Sequence, residues 1–277
     1  MNNRRPIRAG GLAAVLLLLA GPLVLDRALR GQASPVTSSL TGTVTYVYDG
    51  DTIKVRLDSG KEKRVRLIGV DSPELNDPQE AGRLWAFLAR RFASSALYQK
   101  TVRLTRDREE VDAYGRLLAF VWAGDATMFN ETLVREGYAR AYLRYPFDAE
   151  VKARLREAED EARRAGRGLW RERPFDVVGP GEARARLGQV VTVRFRCVRL
   201  FVRGRFEVLV PSAGDFEAVV PRDVLATFPG PLDYEGRTMD VTGLVEEFKG
   251  RPQVVIGLSA QVKVGAKGAA ARPGQGV

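Results

Sequence analysis

Residues 43–69 hold three short runs in which apolar side chains recur at every second position, separated by tight-turn sequences. Val44, Tyr46 and Tyr48 alternate with Thr43, Thr45 and Val47. Ile53, Val55 and Leu57 follow the turn Asp49-Gly50, and Val65, Leu67 and Gly69 follow Asp58-Ser59-Gly60-Lys61. A period of two marks strands with one buried face. Turns this short join antiparallel neighbours, so the three runs form a meander.

The period then changes. From Gln79 to Leu97, Leu84, Trp85, Leu88, Phe92 and Ala96 recur at three- and four-residue steps, as on an amphipathic helix. Strands are expected at Thr101–Thr105 and Leu117–Trp122, and a helix from Thr127 to Glu136, stopped by Gly137. Asp148 can cap a last helix with Val151, Leu155, Ala158 and Ala162 on its buried face. Gly166 and Gly168 end that helix, and Leu169-Trp170 is expected to fold back on the core. Pro174, Gly179, Pro180 and Gly181 mark a boundary. Beyond it Val191, Val193, Phe195 and Cys197, then Phe206, Val208 and Val210, then Met239, Val241, Gly243 and Val245, again alternate as strands. Arg222 to Phe228 reads as a short helix. Residues 26–40 read as a linker, and 265–277, rich in Gly and Ala, as a disordered tail.

Composition removes whole reaction classes. The chain of 277 residues has no histidine and one cysteine, which rules out Ser-His-Asp and Cys-His catalysis, histidine-ligated zinc, an intrachain disulfide and a multi-thiolate metal site. A general base must be a carboxylate, Lys or Tyr, and a bound metal must take oxygen ligands, as Ca²⁺ and Mg²⁺ do. Lys and Arg total 44 against 34 Asp and Glu, a net charge of +10, which favours capture of polyanions: nucleic acid or an anionic membrane. Arg4, Arg5 and Arg8 precede an apolar run from Gly10 to Leu25. Residues 1–33 are therefore expected to be a secretory signal, cleaved before Ser34, or an uncleaved membrane anchor. Either places the remainder outside the cytoplasm.

The charged residues inside this framework have a pattern. Asp49-Gly50-Asp51 sits in a turn, Asp71-Ser72-Pro73-Glu74 leaves an apolar strand, Arg66 lies within that strand, and Arg116 follows Tyr114-Gly115. Pro73 restricts the backbone locally and can aim Asp71 and Glu74; Gly115 allows close backbone approach to a ligand. Carboxylates hold a hard cation and guanidiniums hold phosphate in a bidentate fork. The combination is suited to a phosphodiester.

These segments resemble the thermonuclease family, the staphylococcal-nuclease-like enzymes. The matching elements are DGDT at 49–52, RLIGVDSPE at 66–74, DAYGR at 112–116 and NETLVREGYA at 130–139, in matching order over about residues 41–172. The resemblance implies an α+β fold, mainly β: a five-stranded OB-type barrel packed against three helices. It implies Ca²⁺-dependent cleavage of DNA and RNA, single-stranded or frayed, leaving 3′-phosphate ends. Mg²⁺ is the lesser alternative, and a monomer is expected. By resemblance, Asp51 and Asp71 would ligate the cation with help from the Ser72 carbonyl, and Glu74 would activate water. Arg66 and Arg116 would hold the scissile phosphate, Tyr114 would bind a terminal phosphate, and Tyr142 would stack on its base. Ser72 replaces the usual threonine. Ala113 stands where lysine is common, and the second family tyrosine falls on Arg144 or Tyr145.

Residues 180–264 resemble a second, small OB-like barrel. Arg194, Arg196, Arg199, Arg203 and Arg205 are interleaved there with Phe195, Phe201 and Phe206, a pattern that fits either a strand-tracking nucleic-acid surface or core aromatics with solvated arginines. Cys197 reads as a small core residue. Two other functions stay open on sequence: a non-catalytic nucleic-acid-binding protein on the same scaffold, and an envelope-associated adaptor.

Overall fold

The alternating runs fold as strands. β1 (Ser39–Val47), β2 (Thr52–Leu57) and β3 (Glu62–Leu67) form the antiparallel meander. They are followed by the short β4 (Val70–Asp71), α1 (Glu80–Leu97), β5 (Thr101–Thr105), β6 (Leu117–Ala123), β7 (Thr127–Met128), α2 (Phe129–Arg135), β8 (Arg140–Ala141) and α3 (Ala149–Ala165). The computed structural model describes residues 39–124, 127–228 and 233–267. β5 pairs with β1 and β6, and β6 pairs in parallel with β3, closing five strands in the order β1-β2-β3-β6-β5. Ile53, Val55, Val65, Leu67, Val102 and Leu104 fill the interior. Each such side chain contributes about 1.5–3 kcal/mol on burial. The Asp148 carboxylate accepts from the Val151 N–H at 3.0 Å and starts α3, which ends at Gly166 in the left-handed region.

Three sequence expectations need correction here. The register of β1 against β2 slips between Val44 and Tyr46. A bulge reverses the facing of the residues beyond it, so Val44 and Val47 are buried while Tyr46 and Tyr48 turn outward. The strand also starts at Ser39, which pairs with Thr105, inside the stretch expected to be linker. Gly69 does not extend β3; it lies in a turn at φ +77°.

The second half contains β9 (Val177–Val178), β10 (Val190–Arg203), β11 (Phe206–Pro211), β12 (Glu217–Pro221), β13 (Arg237–Phe248), β14 (Arg251–Val255) and β15 (Val262–Lys267). Five of these close in the order β10-β11-β12-β14-β13, with a parallel β12–β14 pair in the place of β3–β6. Both halves therefore share one barrel topology. Val191, Val193, Phe195, Cys197, Met239 and Val241 form the second core. β15 runs three residues into the stretch expected to be tail, pairing Arg237 with Lys267, and the rest of that stretch lies outside the described residues. Ladder bonds are main-chain and a Gly-Ala stretch can make them.

The two barrels belong to one compact unit. Phe87 of α1 packs with Phe201, Phe206 and Val210 on Val208, Val219 and Val255. Gly257 makes this possible: a Cβ there would lie 2.1 Å from Phe87 Cε2. Arg91 Nε donates to Glu246 at 3.0 Å, and the Phe175 ring sits 5.7 Å from Trp85. Phe206, Val208 and Val210 alternate as expected, but they face this seam, while Leu209 faces the barrel core. Within the arginine–phenylalanine pattern, Phe195 is in the core, Phe201 and Phe206 are in the seam, and Arg194 and Arg203 are paired with Asp240 and Glu217. The expected signal or anchor lies outside the described residues; within them no helix is long and apolar enough to cross a membrane.

Candidate active site

The ends of β2, β3 and β4 meet at Asp51. Its carboxylate is buried and holds three donors: the Ser72 N–H at 2.7 Å, Arg66 Nη1 at 2.8 Å and the Thr52 hydroxyl at 3.1 Å. Arg66 Nη1 also donates to the Val70 carbonyl at 3.0 Å, and its Nη2 lies 3.5 Å from Asp71 Oδ1. One guanidinium thus ties the turn after β1 to the chain leaving β3. Gly50 permits the closeness, since a Cβ there would come within 2.8 Å of the Ser72 side chain and 2.9 Å of Ala89. Asp51, Arg66, Asp71 and Ser72, four of the sequence-selected residues, are therefore together. Glu74 is exposed in the following loop, and no hydrogen bond or ion pair among the described residues joins its carboxylate to the cluster.

Arg116 stands one residue before Leu117, which pairs with Val65 of β3, beside Arg66. Its orientation is set by Asp112, which accepts the Arg116 Nε–H at 2.6 Å and the backbone N–H groups of Tyr114 and Arg116 at 2.9 Å each. Burial pushes the Asp112 carboxyl up, but these bonds outweigh it and hold the group below the usual range. Tyr114 is 85% exposed, with the Arg116 guanidinium 5.4 Å from its ring centroid. Tyr142 is anchored next to Asp71: its N–H donates to the Gly69 carbonyl at 2.8 Å, and Asp71 pairs with Arg140. The Tyr145 ring lies 5.6 Å from that of Tyr142. Of the two positions left open by sequence, Tyr145 is the one whose ring lies against Tyr142, tilted at 59°, and Arg144 is exposed.

The cluster carries excess negative charge. Burial and then the Asp51 carboxylate push Asp49 up to about 6. The same two causes raise Asp71, against the pull of Arg66 and Arg140. Three carboxylates thus outnumber the two guanidiniums near them. Asp51 Oδ2 accepts one hydrogen bond and keeps a lone pair. Among the described residues no three acidic or thiol side chains converge into a cage. The donor set is all oxygen, anionic and incomplete. It fits a hard divalent cation that keeps part of its shell as water.

A family model described as staphylococcal nuclease homologue matches residues 64–172. The chain is 42% identical over 127 residues to a protein named thermonuclease from Staphylococcus intermedius, covering 46% of this chain and 74% of that one. The chain belongs to the staphylococcal nuclease family. It is also 35% identical over 163 residues to a protein named thermonuclease from Staphylococcus hyicus, covering 56% of this chain and 95% of that one. A protein named micrococcal nuclease from Shigella flexneri is 36% identical over 146 residues, covering 49% of this chain and 76% of that one.

Within this staphylococcal nuclease framework, two supporting residues were not singled out by sequence. Asp112 is one. The other is Asn130, which is fully buried: its Oδ1 accepts the Val121 N–H at 2.8 Å and its Nδ2 donates to the Ile68 carbonyl at 2.8 Å. Asn130 thereby fixes the segment that presents Asp71. Its signal was a polar amide at the start of an otherwise apolar helix face. Asp112 gave a weaker one, since an acid four residues before an arginine reads as an ordinary surface pair.

Proposed function

We propose that this chain is a divalent-cation-dependent nuclease that hydrolyses phosphodiester bonds in DNA and RNA with little base specificity. The observation that carries the proposal is the single guanidinium of Arg66 bridging the buried Asp51 and the exposed Asp71 at an oxygen-rich surface site. Names given to the relatives above support the same reading. Asp51 and Asp71, with the Ser72 carbonyl, would hold the ion, Ca²⁺ in preference to Mg²⁺. When bound, such an ion offsets phosphate charge and lowers the pKa of a coordinated water.

The chain's own groups do the rest. Glu74, exposed on its loop, takes the proton from the attacking water. Arg66 and Arg116 hold the equatorial oxygens of the phosphate as charge builds, and stay charged throughout. Asp112 keeps Arg116 turned toward the site. Tyr114 contacts a terminal phosphate, and the Tyr142–Tyr145 pair offers ring faces to a base. Exposure of both tyrosine sites favours single-stranded or frayed substrate, because a duplex hides its base faces. Residues 1–33 have the basic and apolar order of an export segment, which supports action outside the cytoplasm.

The test is cleavage of labelled DNA and RNA by the purified chain with Ca²⁺, with Mg²⁺ and with chelator. Cleavage of both polymers with a divalent ion and none with chelator is expected. Retention of nucleic acid without cleavage under every condition would replace the nuclease with a binding protein.

A further inference from the structure

The outward face of the first meander is a continuation of the candidate site. Because side chains alternate along a strand, Glu62, Arg64 and Arg66 share one face of β3. Cross-strand pairing sets three rungs on it. Arg56 pairs with Glu62; Tyr46 pairs with Lys54, which pairs with Arg64; and Thr52, whose carbonyl accepts the Tyr48 N–H at 2.9 Å, pairs with Arg66. From Glu62 to Arg66 the rungs span about 13 Å at ~3.3 Å per residue. The last rung is the candidate active site.

The rungs frame a shallow groove of about 450 Å³ lined by Thr45, Tyr46, Tyr48, Lys54, Arg56 and Glu62. Its aromatic floor is held in place. Tyr46 and Tyr48 lie edge to face at 4.8 Å between centroids. The Arg64 guanidinium covers the Tyr48 ring at 4.0 Å, and Arg90 Nη2 donates to the Tyr46 hydroxyl at 3.0 Å. The bulge in β1 is what puts both rings outside the barrel. Glu62 is the acid of the groove, bridging Lys54 at 2.5 Å and Arg56 at 3.3 Å.

We propose that this groove is an extended subsite for single-stranded nucleic acid, receiving the nucleotides beyond the bond held at Arg66. The inference rests on the nuclease reading and adds where the rest of the substrate lies. Two neighbouring rings at the end of β1 stand beside a row of cations, Arg56, Lys54 and Arg64, on β2 and β3. An unpaired strand likewise carries its bases beside its charged backbone, and sequence-tolerant binding surfaces combine aromatic and cationic groups. A duplex would not expose base faces to Tyr46 and Tyr48. Glu62 competes with phosphate for Lys54 and Arg56, so the groove releases its strand readily.

The test measures binding by the full chain in chelator, where no cleavage interferes, using fluorescent oligothymidylate of roughly 12 nucleotides against a dinucleotide, a length in the range one such barrel covers. The longer probe should bind at least about tenfold more tightly. Tyr46→Ala with Tyr48→Ala should collapse that ratio toward one. Lys54→Gln with Arg56→Gln should flatten the salt dependence by about 0.7 in log–log slope per cation removed. Glu62→Gln should tighten the longer probe several-fold, a gain that misfolding cannot produce. If all three variants bind the longer probe as the wild type does while the wild type cuts DNA, the groove assignment is overturned and the nuclease stands. If a duplex of equal length binds as tightly and loses as much in the tyrosine variant, stacking is overturned. If the wild type neither binds nor cuts, the nuclease reading itself has failed and takes this inference with it.

Discussion

Arg66 and Asp51 are in contact at 2.8 Å, and the same guanidinium reaches Asp71 at 3.5 Å. The pair links a turn residue to a strand residue fifteen positions on, and it anchors the proposed cation pocket to the proposed phosphate clamp. Arg66→Lys keeps the charge but loses the fork. The expected result is a fall in kcat of about 10²–10³, the scale for removing one preorganised contact to developing charge. Steady-state cleavage of single-stranded DNA, with circular dichroism to confirm folding, checks it. A rate within a few-fold of wild type would remove Arg66 from the chemistry.

Asp112 is expected to act through Arg116. Asp112→Asn keeps an acceptor but discards the charge that strengthens the 2.6 Å bond to Nε. A hydrogen bond to a charged group is worth about 1.5–3 kcal/mol, so kcat/KM should fall about 10- to 100-fold. The fall should be far smaller in an Arg116→Ala background, because the partner is already gone. A double-mutant cycle on kcat/KM measures this, and full additivity would contradict it.

Acid should loosen the helical side of the first barrel. Burial raises the Glu131 carboxyl, but hydrogen bonds from Arg135 and Arg154 outweigh it, and the group titrates below its ordinary range. A depressed carboxylate stabilises the fold above the unfolded pKa of about 4.3, and that contribution is lost as pH falls through the lower folded value. Glu131→Gln should therefore lower Tm at neutral pH, with the gap to wild type narrowing below about pH 4. Tm measured against pH for both proteins decides it; a gap that stays constant or widens in acid would be contrary.

The seam between the barrels should make them unfold together. Phe87→Ala removes the ring that fills the seam beside Gly257. Phe87 is half-buried, so the cost should fall near or below the low end of the ~3–5 kcal/mol for a core Phe→Ala change. Gly257→Val would push the ring out from the other side. In denaturant, wild type should show one transition and each variant two, read by far-UV circular dichroism, which follows both barrels, while fluorescence of Trp85, Trp122 and Trp170, all before β9, follows the first barrel alone. A single unshifted transition in both variants would show that the seam contributes little.

Much of this was legible in the sequence because it depends on periodicity and turn chemistry. The runs at Ile53–Leu57, Thr101–Thr105 and Val191–Cys197 fold as their alternation requires. The cap at Asp148 and the stop at Gly137 follow local rules. What escaped was set by tertiary pairing. The bulge at Thr45 turns Tyr46 and Tyr48 outward, and no residue type in β1 announces it. Phe206 and Val208 alternate correctly, yet their alternation says only that one face is covered, not that α1 covers it. In the site, the acids and Arg66 could be selected from residue type and motif. The hold of Asp112 on Arg116, the hold of Asn130 on Ile68, and the pairing of Tyr145 with Tyr142 depend on how loops fold back, which spacing does not encode.

The most direct measurement compares wild type with Glu74→Gln on labelled single-stranded DNA at saturating Ca²⁺, under single-turnover conditions. The Glu74 carboxylate is exposed and enters no hydrogen bond or ion pair among the described residues, so the variant should fold and bind as wild type does. The account predicts cleavage slowed by at least about a hundredfold, within the 10²–10⁴ contributed by a positioned general base. Cleavage at the wild-type rate by Glu74→Gln, or by wild type in the presence of chelator, would contradict it.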